Sequence, residues 1–224
     1  MKILFDEKIA RSYDRWAEIP SGRKAYALEG ELLLKLGDMA TGQTVLEVGC
    51  GTGIHLSLFL KEGMNVMGID ISPHMLRVAR QRLSSRVQVV VADARDLPFR
   101  DTSFDCVALI TTLEFVGEPD QAVQEAIRVS RGKVLFGVLN KYSLLGLKRR
   151  MRGIFRPGIF SRARFYSIWE LKRLIAKVVP APNVTWASSL VLPMSLQPFL
   201  TRLERRLSFR RNPLGAFLGL MVRL

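Results

Sequence analysis

Short apolar runs alternate along the first 140 residues with segments whose apolar positions recur at helical spacing. The apolar runs predict buried strands at 44–48, 65–70, 87–91, 104–110 and 133–139. The segments between them predict helices that begin near residue 54, at Pro73 after Ser72, and over 118–129. This order is typical of an α/β protein with a doubly wound, mostly parallel sheet covered by helices on both faces.

The same patterns predict elements on either side of this region. Ile9, Tyr13 and Trp16 are spaced as on one helix over 6–16, and leucines four apart predict a second helix over 25–36. Ser167 and Glu170 have the spacing of a capping box, which predicts a helix to about residue 179. Strands are predicted at 183–192 and 215–222, so the second half of the chain completes the sheet.

Composition limits the class of protein. The chain has 224 residues, of which 48% are hydrophobic and 24% charged, so one domain of 1–224 with a sizeable core is expected. Its two cysteines form neither a disulfide framework nor a zinc site, and we predict no metal. The first residues lack the apolar run of a signal peptide, and the uncharged stretch 178–201 contains four prolines. We therefore expect a cytoplasmic protein.

The excess of positive over negative charge is confined to the second half of the chain. Residues 1–130 contain 15 Lys and Arg against 18 Asp and Glu, whereas residues 131–224 contain 19 against two. Such an excess indicates a membrane surface, a nucleic acid or an acidic substrate, although basic residues that only solvate loops are an alternative.

The predicted strand at 44–48 leads directly into a glycine-rich turn. Glycines occupy positions 49, 51 and 53, and a helix follows, so backbone N–H groups and the positive end of a helix dipole meet at this turn. Asp70 ends the next strand, 19 residues after Gly51, where a carboxylate can accept hydrogen bonds from both hydroxyls of a ribose.

Two classes of cofactor fit a turn of this kind. A dinucleotide site would need glycine at position 54, where this chain has Ile54, and its pyrophosphate would be repelled by Glu47. A ligand with an ammonium or sulfonium group would tolerate Glu47. With Glu47, Asp70 and Asp93 suitably spaced, a purely structural glycine turn is the less favoured interpretation.

The run Val45-Leu46-Glu47-Val48-Gly49-Cys50-Gly51-Thr52-Gly53 resembles the first motif of class I S-adenosylmethionine-dependent methyltransferases. The segments at 92–99 and 103–105 are similar to those of the subgroup (type 11) that includes the quinone-biosynthesis methyltransferases, and Tyr13-Asp14-Arg15-Trp16 resembles its N-terminal segment. The resemblance covers residues 5–140 and departs at 130–133, where the family often has Lys-Pro-Gly-Gly. It implies a Rossmann-like sheet of seven strands with an antiparallel last strand.

The resemblance also implies site residues. Gly49, Gly51 and Gly53 would line the methionine part of S-adenosylmethionine, with Glu47 and Cys50 in the same motif. Asp70 would hold the ribose, Ile71 would pack on the adenine, and Asp93 would accept from the adenine amino group beside the backbone of Ala94. Thr111 would lie near the methionine end, and Tyr13 could close over the carboxylate. His55 either faces that carboxylate or only starts a helix.

Methyl transfer from a sulfonium is an in-line displacement, which needs positioning more than a protein nucleophile. S-adenosylhomocysteine would be the product, and we assign no catalytic base. Residues 1–40 would form a helical lid, 41–140 the cofactor-binding core, and 141–224 the end of the sheet with basic insertions on the substrate side.

Two basic segments, 143–155 and 196–211, have leucine-rich stripes at helical spacing. This pattern suits peripheral contact with an anionic membrane, for example at the inner membrane surface, but plain core packing remains open. The first hypothesis is therefore methylation of a small or lipid-like acceptor. The alternatives are an RNA methyltransferase or RNA-binding protein of the same fold, with nucleic acid less favoured, and a non-catalytic S-adenosylmethionine-binding protein.

Overall fold

Seven strands form one mixed sheet in the computed structural model, which describes residues 4–83, 87–144, 146–147, 162–192 and 201–224, without the side chains of Trp16 and Thr201. The strand order is β3-β2-β1-β4-β5-β7-β6. The first five strands pair in parallel, and β7 pairs antiparallel with both β5 and β6, so the predicted fold class is confirmed. The strands are β1 (Thr44–Val48), β2 (Asn65–Asp70), β3 (Gln88–Val91), β4 (Phe104–Ile110), β5 (Ser130–Leu139), β6 (Asn183–Ser189) and β7 (Phe217–Arg223).

Helices cover both faces of this sheet. Within the described residues they are α1 (Glu7–Tyr13), α2 (Arg15–Glu18), α3 (Pro20–Gly37), α4 (Ile54–Lys61), α5 (Pro73–Leu83), α6 (Pro119–Val129), α7 (Ile168–Ala176) and α8 (Thr201–Leu207). A short 3₁₀ helix, Leu113–Phe115, follows β4. None of the described helices is both long and apolar enough to cross a bilayer.

Apolar side chains on the two faces of the sheet form separate clusters. On one face, α6 and α7 pack against β4, β5 and β7 around Phe136 and Tyr166. On the other face, α3 packs through Leu32 and Leu33 against β5 and β7. A smaller cluster joins α4 and α5 around Leu56. None of these clusters includes a described residue before Ala25, so α1 and α2 lie outside the three clusters, although Ala10 of α1 is buried.

Several element ends differ from the sequence predictions for identifiable reasons. The first predicted helix is divided into α1 and α2 at Asp14, whose ψ of −10° departs from that of a regular α-helix. The second predicted helix, 25–36, corresponds to α3 and begins earlier, at Pro20, because proline suits the first turn of a helix. β6 ends at Ser189 rather than at 192, since Leu190 adopts the left-handed conformation with φ of 60°.

The topology brings both basic segments to one edge of the sheet. β6 runs parallel to β5, because both are antiparallel to β7. The connection from β5 to α7 and the connection from β6 to β7 therefore both leave the sheet at its carboxyl edge, where the turn after β1 also lies. The predicted stripes fall partly at 148–161 and 193–200, outside the described residues, while Leu144, Leu147 and Leu203 are exposed.

Candidate functional site

The turn after β1 has a backbone that only glycine adopts without strain. Gly49, Gly51 and Gly53 have φ values of 73°, 54° and 78°. A Cβ on Gly49 would lie 2.5 Å from the Thr112 side chain, and one on Gly53 would lie 2.8 Å from Leu83. A Cβ on Gly51 would meet only Met75, at 3.6 Å, so the backbone of Gly51 is open to close approach by a ligand.

Asp70, at the end of β2, ties this turn to the start of α5. Its Oδ2 accepts a hydrogen bond from the Gly51 N–H at 2.9 Å, and its Oδ1 accepts one from the Ser72 N–H at 2.8 Å. Burial raises the pKa of Asp70, and these backbone donors partly offset the shift. Each carboxylate oxygen has a second lone pair that a ligand hydroxyl could use.

Glu47 is a buried carboxylate beneath the same turn. Its side chain is 1% exposed, and its Oε1 lies 3.4 Å from Nδ1 of His55 at the start of α4. Oε2 of Glu47 and Nε2 of His55 have no hydrogen-bond partner among the described residues. Burial raises the pKa of Glu47 despite the opposing effect of His55. A buried acceptor left unsatisfied in this way fits a cationic group of a ligand.

The N-terminal segment lies across the turn. The Ser72 hydroxyl donates to the Phe5 carbonyl at 2.5 Å, and the Thr52 hydroxyl donates to Asp14 at 2.7 Å. The Phe5 ring makes edge contacts with the rings of Tyr13 at 6.0 Å and Phe115 at 5.0 Å between centroids. These contacts hold α1 against the carboxyl edge.

Tyr13 therefore sits beside the buried carboxylates. Burial raises the pKa of the Tyr13 hydroxyl, and the charges of Glu114 and Asp70 raise it further. A protonated hydroxyl donates hydrogen bonds, so Tyr13 can donate to a carboxylate that binds near the turn.

Asp93, after β3, is engaged by its neighbour. Its carboxylate accepts from the backbone N–H of Arg95 at 2.9 Å and pairs with the Arg95 guanidinium at 2.7 Å, which lowers the pKa of Asp93. Arg95 also pairs with Glu118 at 2.7 Å. Asp93 thus caps the loop that follows β3, and its contact with an adenine amino group stays a prediction.

The remaining predicted residues lie around the turn in different orientations. The Cys50 side chain packs with Leu56 in an apolar cluster, and burial raises the pKa of its thiol well above the usual value, so only its backbone could face a ligand. Ile71 and Ala94 are half-buried, at the ends of β2 and β3. Thr111 is half-buried after β4 and has φ of 52°.

Sequence reasoning missed residues that contact the turn from other elements. The Thr112 hydroxyl donates to the Val48 carbonyl at 2.8 Å, and its side chain occupies the space beside Gly49. Tyr26 of α3 lies 5.9 Å from the His55 ring between centroids. The position of Thr112 after β4 was a signal, but Tyr26 could be found only from the packing of α3.

The fold, the glycine turn and the carboxylates at the ends of β1 and β2 resemble those of class I S-adenosylmethionine-dependent methyltransferase domains. Residues 46–136 match the family described as Methyltransferase domain, which agrees with this resemblance. The buried, unsatisfied oxygen of Glu47 and the open backbone of Gly51 fit S-adenosylmethionine as the cofactor of such a domain.

Comparisons with known proteins give the same class. The chain is 41% identical over 128 residues to a demethylmenaquinone methyltransferase of Clavibacter sepedonicus, covering 56% of this chain and 51% of that protein. It is 34% identical over 132 residues to a phosphatidylethanolamine N-methyltransferase of Cereibacter sphaeroides, covering 56% and 64%. A crystal structure of a SAM-dependent methyltransferase from Thermotoga maritima, described as a possible histamine N-methyltransferase, is similar with a TM-score of 0.76 and 27% identity, covering 98% of this chain and 97% of that one.

The chain spans about half to two thirds of the length of these two curated relatives. The matched family covers the strands that carry the glycine turn, Asp70 and Asp93, and it ends at residue 136 within β5.

Proposed function

We propose that this protein is an S-adenosylmethionine-dependent methyltransferase that acts on a small or lipid-like acceptor. The observation that carries the proposal is the open left-handed turn at Gly51, bracketed by the carboxylates of Glu47 and Asp70. When bound, S-adenosylmethionine supplies an electrophilic methyl group on a sulfonium, which an acceptor attacks in line.

The residues of this chain would bind and orient the cofactor. Asp70 would accept from the ribose hydroxyls while it holds the Gly51 and Ser72 amides in place. Glu47 would stabilise the positive end of the cofactor, since its Oε2 has no other partner in the described structure. Tyr13 would donate to the cofactor carboxylate, and the contacts of Phe5 would keep water from the turn.

Two indirect observations support a small or lipid-like methyl acceptor. The relatives named above include enzymes whose names refer to a quinone and to a phospholipid, both lipids. The connection from β5 to α7 leaves the sheet at the same edge as the glycine turn and carries the exposed Arg162 and Arg164, which suits an acceptor that bears or lies beside negative charge. No described side chain near the turn stands out as a general base, so positioning would supply most of the rate enhancement.

Calorimetry with S-adenosylmethionine and S-adenosylhomocysteine tests the proposal. Saturable binding is expected for the full chain, with a loss of about tenfold or more for Asp70→Asn, because a charge-assisted hydrogen bond contributes about 1.5–3 kcal/mol. Asp101→Asn, on an exposed loop far from the turn, is the matched control and should bind as the wild type does.

A second pair of variants tests the turn itself. Gly49→Ala should lose binding because its Cβ would meet Thr112, whereas Gly117→Ala should keep it because nothing lies within 4 Å of an added Cβ. Absence of saturable binding, or equal affinity in Asp70→Asn, would refute the proposal. Cofactor binding without product in a screen of quinone, phospholipid and RNA acceptors would favour the non-catalytic alternative.

A further inference from the structure

Four large apolar side chains are exposed on the segment that follows β5 and on the first turn of α7. Tyr142, Leu144, Leu147 and Trp169 are 54%, 65%, 51% and 58% exposed, and they are called the aromatic patch below. The Tyr142 and Trp169 rings lie 6.1 Å apart at 65°. Exposed apolar clusters of this kind mark surfaces that contact a partner or a membrane.

Basic side chains border the aromatic patch. Lys172 and Arg173 follow Trp169 by three and four residues on α7, so all three share the exposed face of that helix, while Leu171, Leu174 and Ile175 are buried on the other face. Arg162 and Arg164 are also exposed, on the segment that precedes α7. The nearby carboxylate, Glu170, is neutralised by Lys141 at 2.5 Å.

The surface adjoins the candidate cofactor site. The Arg164 N–H donates to the Glu114 carbonyl at 2.8 Å, and the Tyr166 hydroxyl donates to the Leu113 carbonyl at 3.2 Å. Leu113 and Glu114 belong to the 3₁₀ helix whose Phe115 contacts the N-terminal segment over the turn. A surface that contacts the aromatic patch would therefore lie beside the glycine turn.

We propose that the aromatic patch and its basic border dock this protein on an anionic lipid bilayer. Tyr and Trp are suited to the interfacial region of a bilayer, and each Lys or Arg near an anionic leaflet adds electrostatic attraction. Nucleic acid is disfavoured, because Leu144 and Leu147 have no ring for a base to stack on and gain free energy only in an apolar phase. Docking needs no cofactor, so this inference stands apart from the proposed function.

Vesicle co-sedimentation of the full chain tests the electrostatic part. Binding is expected to vesicles of equimolar phosphatidylcholine and phosphatidylglycerol, with much weaker binding to phosphatidylcholine alone. The double variant Lys172→Glu/Arg173→Glu should bind about tenfold or more weakly, since two attractive charges become repulsive. The matched control, Lys61→Glu/Arg100→Glu, makes the same change in net charge at exposed positions on the opposite edge and should bind like the wild type.

Quenching of tryptophan fluorescence by brominated phosphatidylcholine, mixed with phosphatidylglycerol, tests insertion of the patch. Quenching is expected in the wild type and should be largely lost in Trp169→Phe, while circular dichroism confirms that both proteins are folded. Two results would overturn the proposal: equal vesicle binding by the two charge variants, or tighter binding to a polynucleotide at the same salt concentration with no quenching by brominated lipid.

Discussion

Glu47 is a buried carboxylate whose Oε2 has no hydrogen-bond partner among the described residues. Its carboxylate is almost fully buried, and Nδ1 of His55 lies 3.4 Å from its Oε1. An unsatisfied acceptor in such a place costs free energy that a well-paired residue would not. A cationic ligand bound beside Glu47 would supply the missing partner and offset this free-energy cost.

Replacing Glu47 by Gln should change the pH dependence of stability. The folded pKa of Glu47 is raised above its unfolded value of 4.5, so its contribution to stability is full below pH 4.5 and is lost as pH rises through the folded pKa. Above that window, Glu47→Gln should therefore gain unfolding free energy relative to the wild type, while its affinity for S-adenosylmethionine falls. Urea denaturation at a series of pH values measures the difference.

Glu125→Gln provides a control for which the expected effect on stability at neutral pH has the opposite sign. Its pKa is lowered by a hydrogen-bonded pair with Arg128 at 2.7 Å, so Glu125→Gln should lose stability at neutral pH and approach the wild type as pH falls below 4.5. The interpretation of Glu47 would be wrong if Glu47→Gln showed the same trend as Glu125→Gln.

At the scale of elements, α7 is held by its first turn. The Ser167 side chain accepts from the Glu170 N–H, and Glu170 accepts from the Ser167 N–H, which completes a capping box. Although burial opposes ionisation of Glu170, hydrogen bonds from Lys141 and Ser167 outweigh it and lower the pKa of Glu170 to about 2. This turn also presents Trp169, so the cap orients the aromatic patch.

Ser167→Ala should lower the unfolding free energy by about 1 kcal/mol, the usual cost of removing an N-cap side chain. Ser12→Ala is the control, since the Ser12 hydroxyl bonds only to carbonyls of its own helix and caps no N–H group. Chemical denaturation monitored by circular dichroism compares the two. Equal losses in both variants would mean that the capping box contributes nothing.

The sequence predicted these elements well where local chemistry decides them. The capping box at Ser167, the helix start at Pro73 and the strand that ends at Asp70 depend on neighbouring residues, and they could be located from pattern alone. The end of β6 and the break at Asp14 could not, because contacts with distant residues set them. The hydrogen bond from Thr52 to Asp14 joins residues 38 apart in the chain.

The same distinction holds for the candidate site. Gly49 and Asp70 follow strands of a parallel sheet, so their meeting at the carboxyl edge could be predicted from the register. Phe5 reaches the turn only through tertiary packing, and no local pattern marks it, whereas the only signal for Thr112 was its position just after β4.

The whole molecule divides into a half that holds the glycine turn and a half that carries the excess positive charge. β3, β2, β1 and β4 hold the glycine turn and its carboxylates, whereas the connections beyond β5 carry the basic residues. Both halves share the clusters of the core, since β7 contributes Phe217, Leu218 and Leu220 while lying between β5 and β6. α1 and α2 contribute to none of these clusters.

Two truncations should separate stability from binding. A chain without residues 1–18 should keep cooperative unfolding, because these residues lie outside the core clusters, but it should lose most of its affinity for S-adenosylmethionine. A chain without residues 183–224 should not fold cooperatively, because β5 loses its partner strand and its apolar face is exposed. Thermal unfolding and calorimetry measure both effects. The division would be wrong if the first chain failed to fold or the second unfolded cooperatively.

The strand order also has a consequence for how such a protein can diversify. The matched family ends within β5, and along the chain the two basic connections join β5 to α7 and β6 to β7. The turn at Gly51 and the strand that ends at Asp70 lie outside both connections, so the connections can change in sequence or length while the sequence of the turn stays the same. If the turn holds the methyl donor as proposed, related proteins could differ in their acceptor and in their membrane contact and still share one donor site.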